Sequence, residues 1–273
     1  MPIRKAAVAG SWYPGTPDVL GAEVERHLGR AEMECAGEIN AIIAPHAGLH
    51  YSGPVAAFSY KLLAGRQYDV AVLVGPSHYV GFSGVAIYRR GAFETPFGRV
   101  AVAEPCATAI ATAASSVQDH PSAHVREHSL EMQLPFLQRV LPETPIVPLL
   151  MGYQTRETIR NLSKGLVTAL TGRKALLVAS TDLSHYHDAV TAARLDGEVI
   201  KHVGAFDAEG LMSALERFPH HACGGGPTVA VMRAARALGA REARILKYAD
   251  SGDVSGDKDA VVGYLAAAFG NFS

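Results

Sequence analysis

Two stretches of this chain repeat one design. Ala41-Ile42-Ile43-Ala44-Pro45-His46-Ala47-Gly48 and Val70-Ala71-Val72-Leu73-Val74-Gly75-Pro76-Ser77-His78-Tyr79 are each a short apolar run that stops at a proline and presents a histidine beyond it. An apolar run of that length without polar alternation fits a strand buried on both faces, and proline ends the ladder because it brings no N–H. The histidines are 78 − 46 = 32 residues apart, the length of one strand–helix–strand crossover, which predicts that the two strand exits lie near each other. Two imidazoles converging on one point suit a metal ion. A single histidine after a strand is commonly a solvated loop residue, so the repetition carries the weight.

Ile39 to Ala44, Asp69 to Val74, Ile146 to Met151 and Ala175 to Ser180 read as buried strands. Pro17 to Ala31, Val55 to Ala64, Ser129 to Val140, Thr155 to Leu170 and Thr228 to Leu238 carry apolar residues at helical spacing, with caps predicted at Thr16, Ser129 and Thr228. Gly84 to Arg90, and Arg244 to Tyr248 with Ala260 to Ala266, read as mixed or antiparallel additions. This alternation predicts an α/β fold with a central mixed β-sheet covered by helices, and ligands beyond the carboxyl ends of its strands. No linker-like segment or repeat period interrupts residues 1–273, which read as a single domain.

Charge names no partner. Lys+Arg 25 against Asp+Glu 26 gives a formal net charge of −1, without the basic footprint of a nucleic-acid or anionic-membrane binder. No apolar run reaches the roughly 18 residues of a membrane span, and no signal-peptide core follows Met1-Pro2-Ile3-Arg4-Lys5-Ala6. Cys35, Cys106 and Cys223 are too few and too scattered for a disulfide framework. A cytoplasmic protein with no nucleic-acid and no membrane partner is expected, with Cys35 and Cys106 as packed apolar thiols.

Two further strand or turn exits carry ionisable groups. After Ala175 to Ser180 come Thr181-Asp182-Leu183-Ser184-His185-Tyr186-His187, in which Asp182 and His185 have the pairing for a carboxylate to orient a proton-moving imidazole. His220-His221-Ala222-Cys223-Gly224-Gly225-Gly226-Pro227-Thr228 is a glycine-rich turn opening a helix, where backbone N–H groups, the helix N-terminus and any bound metal lower a thiol's pKa. A small buried hydrophobe is the alternative for Cys223. No Gly-Lys-Ser/Thr follows, which argues against a phosphate loop. Arg126-Glu127-His128-Ser129-Leu130-Glu131-Met132-Gln133 reads either as a capped, solvated first turn or as polar support reaching the site.

Taken together, Gly10-Ser11-Trp12-Tyr13-Pro14, Pro45-His46-Ala47-Gly48 with Tyr51-Ser52-Gly53, Gly75-Pro76-Ser77-His78, Glu127-His128-Ser129-Leu130-Glu131-Met132-Gln133-Leu134-Pro135-Phe136, Ser180-Thr181-Asp182-Leu183-Ser184-His185 and Cys223-Gly224-Gly225-Gly226-Pro227 resemble the Memo family over nearly the whole chain. Its prokaryotic members are known as protein B of the AmmeMemoRadiSam system. The family in turn resembles class III extradiol dioxygenases, non-haem iron enzymes with a mixed-sheet α/β fold. The resemblance implies metal ligands His46 and His78, a catalytic His185, and Cys223 as third ligand in place of the dioxygenase carboxylate. A thiolate there softens the site toward copper(I), zinc or iron. Leu49 stands where an aromatic is common in the family, and Tyr79 where a second histidine occurs; both are expected in the pocket wall. His50 and His187 are extra polar groups without an assigned role.

Three functions follow as expectations. The first is a non-haem iron, or copper, oxidoreductase of dioxygenase type, with His46, His78 and Cys223 on the metal and His185, oriented by Asp182, as acid and base. Glu127, His128 and Gln133 would support these ligands or face the substrate, a small molecule or a peptide. The second is a non-catalytic metal- or peptide-binding adaptor for radical-SAM system partners. The third is a zinc-dependent hydrolase.

Overall fold

Four β-branched, apolar runs make the parallel centre of the sheet, because residues buried on both faces have no polar side to turn outward. The structure, a computed structural model, describes residues 1–33 and 36–273, so Cys35 lies outside the described residues. Its strands are β1 (Ile3–Arg4), β2 (Gly37–Ala44), β3 (Val70–Pro76), β4 (Val85–Ile87), β5 (Ala92–Thr95) and β6 (Gly98–Ala101). They continue with β7 (Val117–Asp119), β8 (Ile146–Met151), β9 (Ala175–Ser180), β10 (His185–His187), β11 (Glu242–Asp250) and β12 (Val261–Phe272). The helices are α1 (Pro17–Arg30), α2 (Leu49–Lys61), α3 (Glu104–Ala113), α4 (Pro121–His124) and α5 (Leu134–Val140). After these come α6 (Arg156–Leu170), α7 (Ala189–Gly204), α8 (Ala208–Arg217), α9 (Gly225–Ala237) and α10 (Gly252–Ser255).

The large sheet has the order β10-β12-β2-β9-β3-β8-β4-β7, with β11 also paired to β12. Its centre, β2-β9-β3-β8, is parallel. β12 runs antiparallel to β2, and β4 antiparallel to β8, so the sheet is mixed as expected. β11 and β12 pair antiparallel over a longer span than the sequence predicts. A separate sheet joins β1, β5 and β6. Ile42, Ile43, Val72, Leu73, Val147, Leu177 and Val178 are fully buried and centre the core. Helix α9 packs on β9, β3 and β2, and α2 on β12 and β2. Cys106 is buried, and burial raises its thiol pKa, in keeping with a packed apolar residue.

The strand exits that carry His46 and His78 are not neighbours, because β9 is inserted between β2 and β3. The exit of β9, Ser180-Thr181-Asp182, therefore lies between the two histidines and becomes part of the site. Three helix starts also differ from the sequence reading. Helix α2 begins at Leu49 and includes Pro54; a proline so near the N-terminus removes one backbone bond, and the freed carbonyl belongs to exposed His50. Ser129 does not cap a helix: its hydroxyl donates to the Pro76 carbonyl at 2.8 Å, and a 3-10 turn over Glu131–Gln133 precedes α5. Helix α9 starts three residues before Thr228, whose hydroxyl donates back to the Gly224 carbonyl. Among the described residues, no helix is long and apolar enough to cross a membrane.

Candidate metal centre

The loop after β2 puts His46 deep in the molecule, 1% exposed. Its backbone N–H donates to Asp182 Oδ1 at 2.7 Å, and its Nδ1 lies 2.9 Å from Ser180 Oγ. The proton on this ring can be placed from its neighbours. Ser180 has one hydroxyl proton, donated to the Ser129 carbonyl at 2.6 Å, and its oxygen also accepts from Gln133 Nε2 at 2.8 Å. The amide of Gln133 is fixed in turn, since Tyr60 donates to its Oε1 at 2.7 Å and its Nε2 reaches the Pro45 carbonyl at 3.1 Å. His46 Nδ1 must therefore be the donor to Ser180, which leaves Nε2 with a free lone pair. Burial, then the neighbouring His78, holds this imidazole well below its usual pKa, so it is neutral.

His78 is anchored by Glu127, which accepts its backbone N–H at 2.6 Å and its Nδ1–H at 2.9 Å. The same carboxylate accepts the backbone N–H groups of His128 and Ser129, each at 2.9 Å. Burial pushes the Glu127 carboxyl up, but the hydrogen bonds and charge of His78 and the backbone donors outweigh it and leave a pKa of about 2. An ionised acceptor keeps the proton on His78 Nδ1 and frees Nε2, the arrangement by which a carboxylate orients a metal-binding histidine. Gly75 permits the approach: a Cβ there would come within 2.8 Å of Leu130 and 2.9 Å of Ser129 Oγ.

His128 completes a group in which His46, His78 and His128 offer one ring nitrogen each, all within 4.8 Å of one another. Its ring lies 4.2 Å from Trp12 and stacks on His78 at 4.6 Å with 15° between the planes. Burial, then His46, pushes its pKa down to about 4, and its buried Nδ1 lies 3.4 Å from Glu127 Oε1 without a hydrogen bond. Neutral imidazoles with free or orphaned nitrogens fit a first-row metal ion. Distance and angle then separate the three. An imidazole lone pair lies in the ring plane, and planes only 15° apart, stacked at 4.6 Å, meet far beyond a bond of about 2.1 Å. His46 crosses His78 at 70° and His128 at 73°, so it can aim at one ion together with either of them as they stand.

Cys223 Sγ lies 3.2 Å from His46 Nε2 and accepts the Asp182 N–H at 3.3 Å, beside the three-histidine group and not within it. Gly224 makes this approach possible, because a Cβ there would sit 2.3 Å from the Ser180 carbonyl. The thiol is raised, by burial first and then by Asp182; the backbone N–H groups of Asp182 and Gly224 act in the lowering direction expected from the sequence but are outweighed. Only a cation at the site would make it a thiolate. Asp182 orients His46 through its backbone, and no hydrogen bond joins it to His185 among the described residues. His185 Nδ1 lies 2.8 Å from the Leu183 carbonyl, which can only accept, so Nδ1 carries the proton and Nε2 is free. A proton taken up on that ring would act to lower the pKa of both His46 and Asp182. Of the residues expected as support, Glu127 and Gln133 hold ligand rings, whereas His128 stands in the donor group itself. Trp12 and Ser180 stood in the family motifs without a role, and Tyr60 and the Arg4–Glu131 pairing had no signal in the sequence.

The donor assignment is open to direct measurement. Stacked as they are, His78 and His128 do not share an ion; the ring held by the Glu127 carboxylate, His78, is taken as the donor beside His46, and Cys223, 3.2 Å from His46 Nε2, as the third. Cys223→Ser is therefore expected to lower metal content several-fold more than His128→Ala, read by elemental analysis of both variants. A larger loss in His128→Ala would reverse the assignment.

A family model described as Memo-like protein matches residues 4–268. A MEMO1 family protein of Methanopyrus kandleri is 40% identical over 278 residues, covering 97% of this chain and 98% of its own. Another, from Pyrobaculum aerophilum, is 40% identical over 279 residues, covering 98% and 99%. Among solved structures, an uncharacterised protein of Escherichia coli K12 matches with a TM-score of 0.52 and 15% identity, over 84% of this chain and 99% of that one. That likeness concerns the fold alone.

Proposed function

This chain belongs to the Memo-like protein family, and on that premise we propose that it is a metal-dependent oxidoreductase of dioxygenase type, with iron as the metal and copper as the next choice. The observation that carries the proposal is the pair His46 and His78, neutral or held by a carboxylate, with free Nε2 lone pairs on rings crossing at 70°. Cys223 adds a donor that becomes anionic when a cation arrives. Iron bound there would supply the one-electron chemistry that lets dioxygen react with an organic substrate. The chain does the rest. Glu127 and Ser180 fix the two rings, and Asp182 holds the His46 loop. His185 takes a substrate proton on its free Nε2 and returns it. A small molecule or peptide is the proposed ligand, and the cytoplasm the proposed location.

Metal analysis of protein purified aerobically and anaerobically without added metal, with dioxygen uptake on 3,4-dihydroxybenzoate as probe, tests this. Iron with uptake is the expected result. His185→Gln should keep the metal while the rate falls by about 10²-fold or more, the usual scale of a lost general acid–base. Loss of metal in that variant would make His185 a ligand instead. The zinc hydrolase reading has one specific observation in its favour, the three neighbouring imidazoles, a donor set also found on catalytic zinc. Zinc without dioxygen uptake would favour it.

A further inference from the structure

Beside the metal centre stands a cation that the mechanism does not use. Arg126 is exposed, and its guanidinium lies over the Tyr79 ring, 5.3 Å from the centroid. Tyr79 in turn meets His128 edge-on at 5.8 Å, so the charge sits two ring contacts from the donor group. A guanidinium resting on a surface tyrosine is ordinary packing on most proteins. Here three other stacked arginines give a standard of comparison. Arg4, Arg139 and Arg236 lie over Phe93, Phe97 and Phe206, and each also donates to an oxygen, of Glu131, Glu25 and Phe206 respectively. Arg126 has no oxygen partner among the described residues, although the next residue, Glu127, turns its carboxylate inward onto His78. The fork is held in place by the ring and its five donors are left for something else.

Two aromatic walls stand against His128 in the donor group. Trp12 and Tyr79 both contact His128, and Tyr186 follows His185, 78% exposed and held at φ 62°. A bulky side chain in the left-handed region is an uncommon, strained arrangement that solvent exposure does not compensate. We propose that Arg126 is the anchor of an anion subsite at the mouth of the metal centre, which takes the carboxylate of a ligand whose planar ring lies between these aromatic walls and reaches the histidines. The flat, two-oxygen carboxylate matches the guanidinium fork, and ring walls select a flat apolar body. The subsite narrows the substrate class to aromatic acids; it rests on the proposed function only for what happens at the other end of that ring.

Trp12 is the sole tryptophan, and it touches His128, so its fluorescence reports ligands in the mouth. Benzoate and benzamide, equal in shape and unlike in charge, are the probes, titrated into the full chain loaded with zinc and again after chelation. Benzoate is expected to bind about tenfold tighter than benzamide in both forms, the scale of one charge-assisted contact. Arg126→Ala should remove that preference, and Arg126→Lys should keep part of it. A preference that persists in Arg126→Ala, one that disappears when the metal is stripped, or no saturable response to benzoate would each overturn the proposal. Because the readout is binding with and without metal, its failure is distinct from finding that the centre holds zinc or lacks dioxygenase activity.

Discussion

Glu127→Ala is expected to unfold well below the parent protein and to bind metal about 100-fold more weakly, the upper range for loss of a group that orients a ligand. The reason is the number of donors that meet on one carboxylate. His78 N–H, His78 Nδ1–H, His128 N–H and Ser129 N–H all end there, in a side chain 1% exposed. Truncation leaves these groups facing a cavity, and buried donors without acceptors cost about 1–3 kcal/mol each. Even if half of them find water, about 4 kcal/mol is lost, which for a chain of this size lowers Tm by roughly 10 °C. Glu127→Gln keeps the shape but turns an N–H₂ toward donors, so it should recover little. Thermal unfolding of metal-free protein separates the two effects: unchanged stability with weakened metal binding would show that the carboxylate tunes the ligand without holding the loops together.

That clamp also explains what was legible beforehand. The β2 and β3 exits were readable because each is an uninterrupted apolar run closed by Pro45 or Pro76, a signal contained within ten residues. The same is true of β8 and β9, whose bounds match the expected runs. Helices α7 and α8 were missed, although Asp188 and Asp207 cap them through their side chains; the polar residues around these caps diluted the apolar spacing. The sheet of β1, β5 and β6 has two- to four-residue strands, too short for any periodicity.

Site residues divide along the same line. His46, His78, Asp182 and His185 each follow a strand and Cys223 opens a glycine turn, so all five could be singled out from local pattern or from the family resemblance. His128 was read as support because it sits in a polar segment whose helical start was misplaced. Its place in the donor group depends on Ser129 being tied to Pro76 and on Trp12 arriving from the N-terminal segment, contacts 53 residues apart in the first case and invisible to a spacing argument. Orientation was less accessible still. The expected Asp182–His185 pairing is replaced by Asp182 on the His46 backbone, because β9 enters between β2 and β3 and puts Asp182 under the neighbouring loop.

The N-terminal segment is tied to the site by a buried ion pair and by the Leu49 N–H, which donates to the Trp12 carbonyl at 2.8 Å, and Glu131→Ala should show how much depends on the ion pair. Arg4 and Glu131 have side chains 2% and 0% exposed. Arg4 also donates to the carbonyls of Glu127 and His124, while Glu131 accepts the N–H groups of Ala7 and Val8 at 2.8 and 3.1 Å and the Tyr13 hydroxyl at 2.6 Å. Removing one partner strands the other charge in the interior, which typically costs about 3–5 kcal/mol. The freed segment carries Trp12 away from His128, so its emission should shift to the red together with the drop in Tm. Changing both residues at once, Arg4→Met with Glu131→Leu, leaves no stranded charge and should restore part of that stability. The restoration stays partial, because Ala7, Val8 and Tyr13 still lack their acceptor. Glu131→Ala losing less than about 1 kcal/mol, within the range of an exposed pair, with Trp12 emission unmoved, would mean that β1, the small sheet and the Leu49 N–H on the Trp12 carbonyl hold the segment against the site without the ion pair.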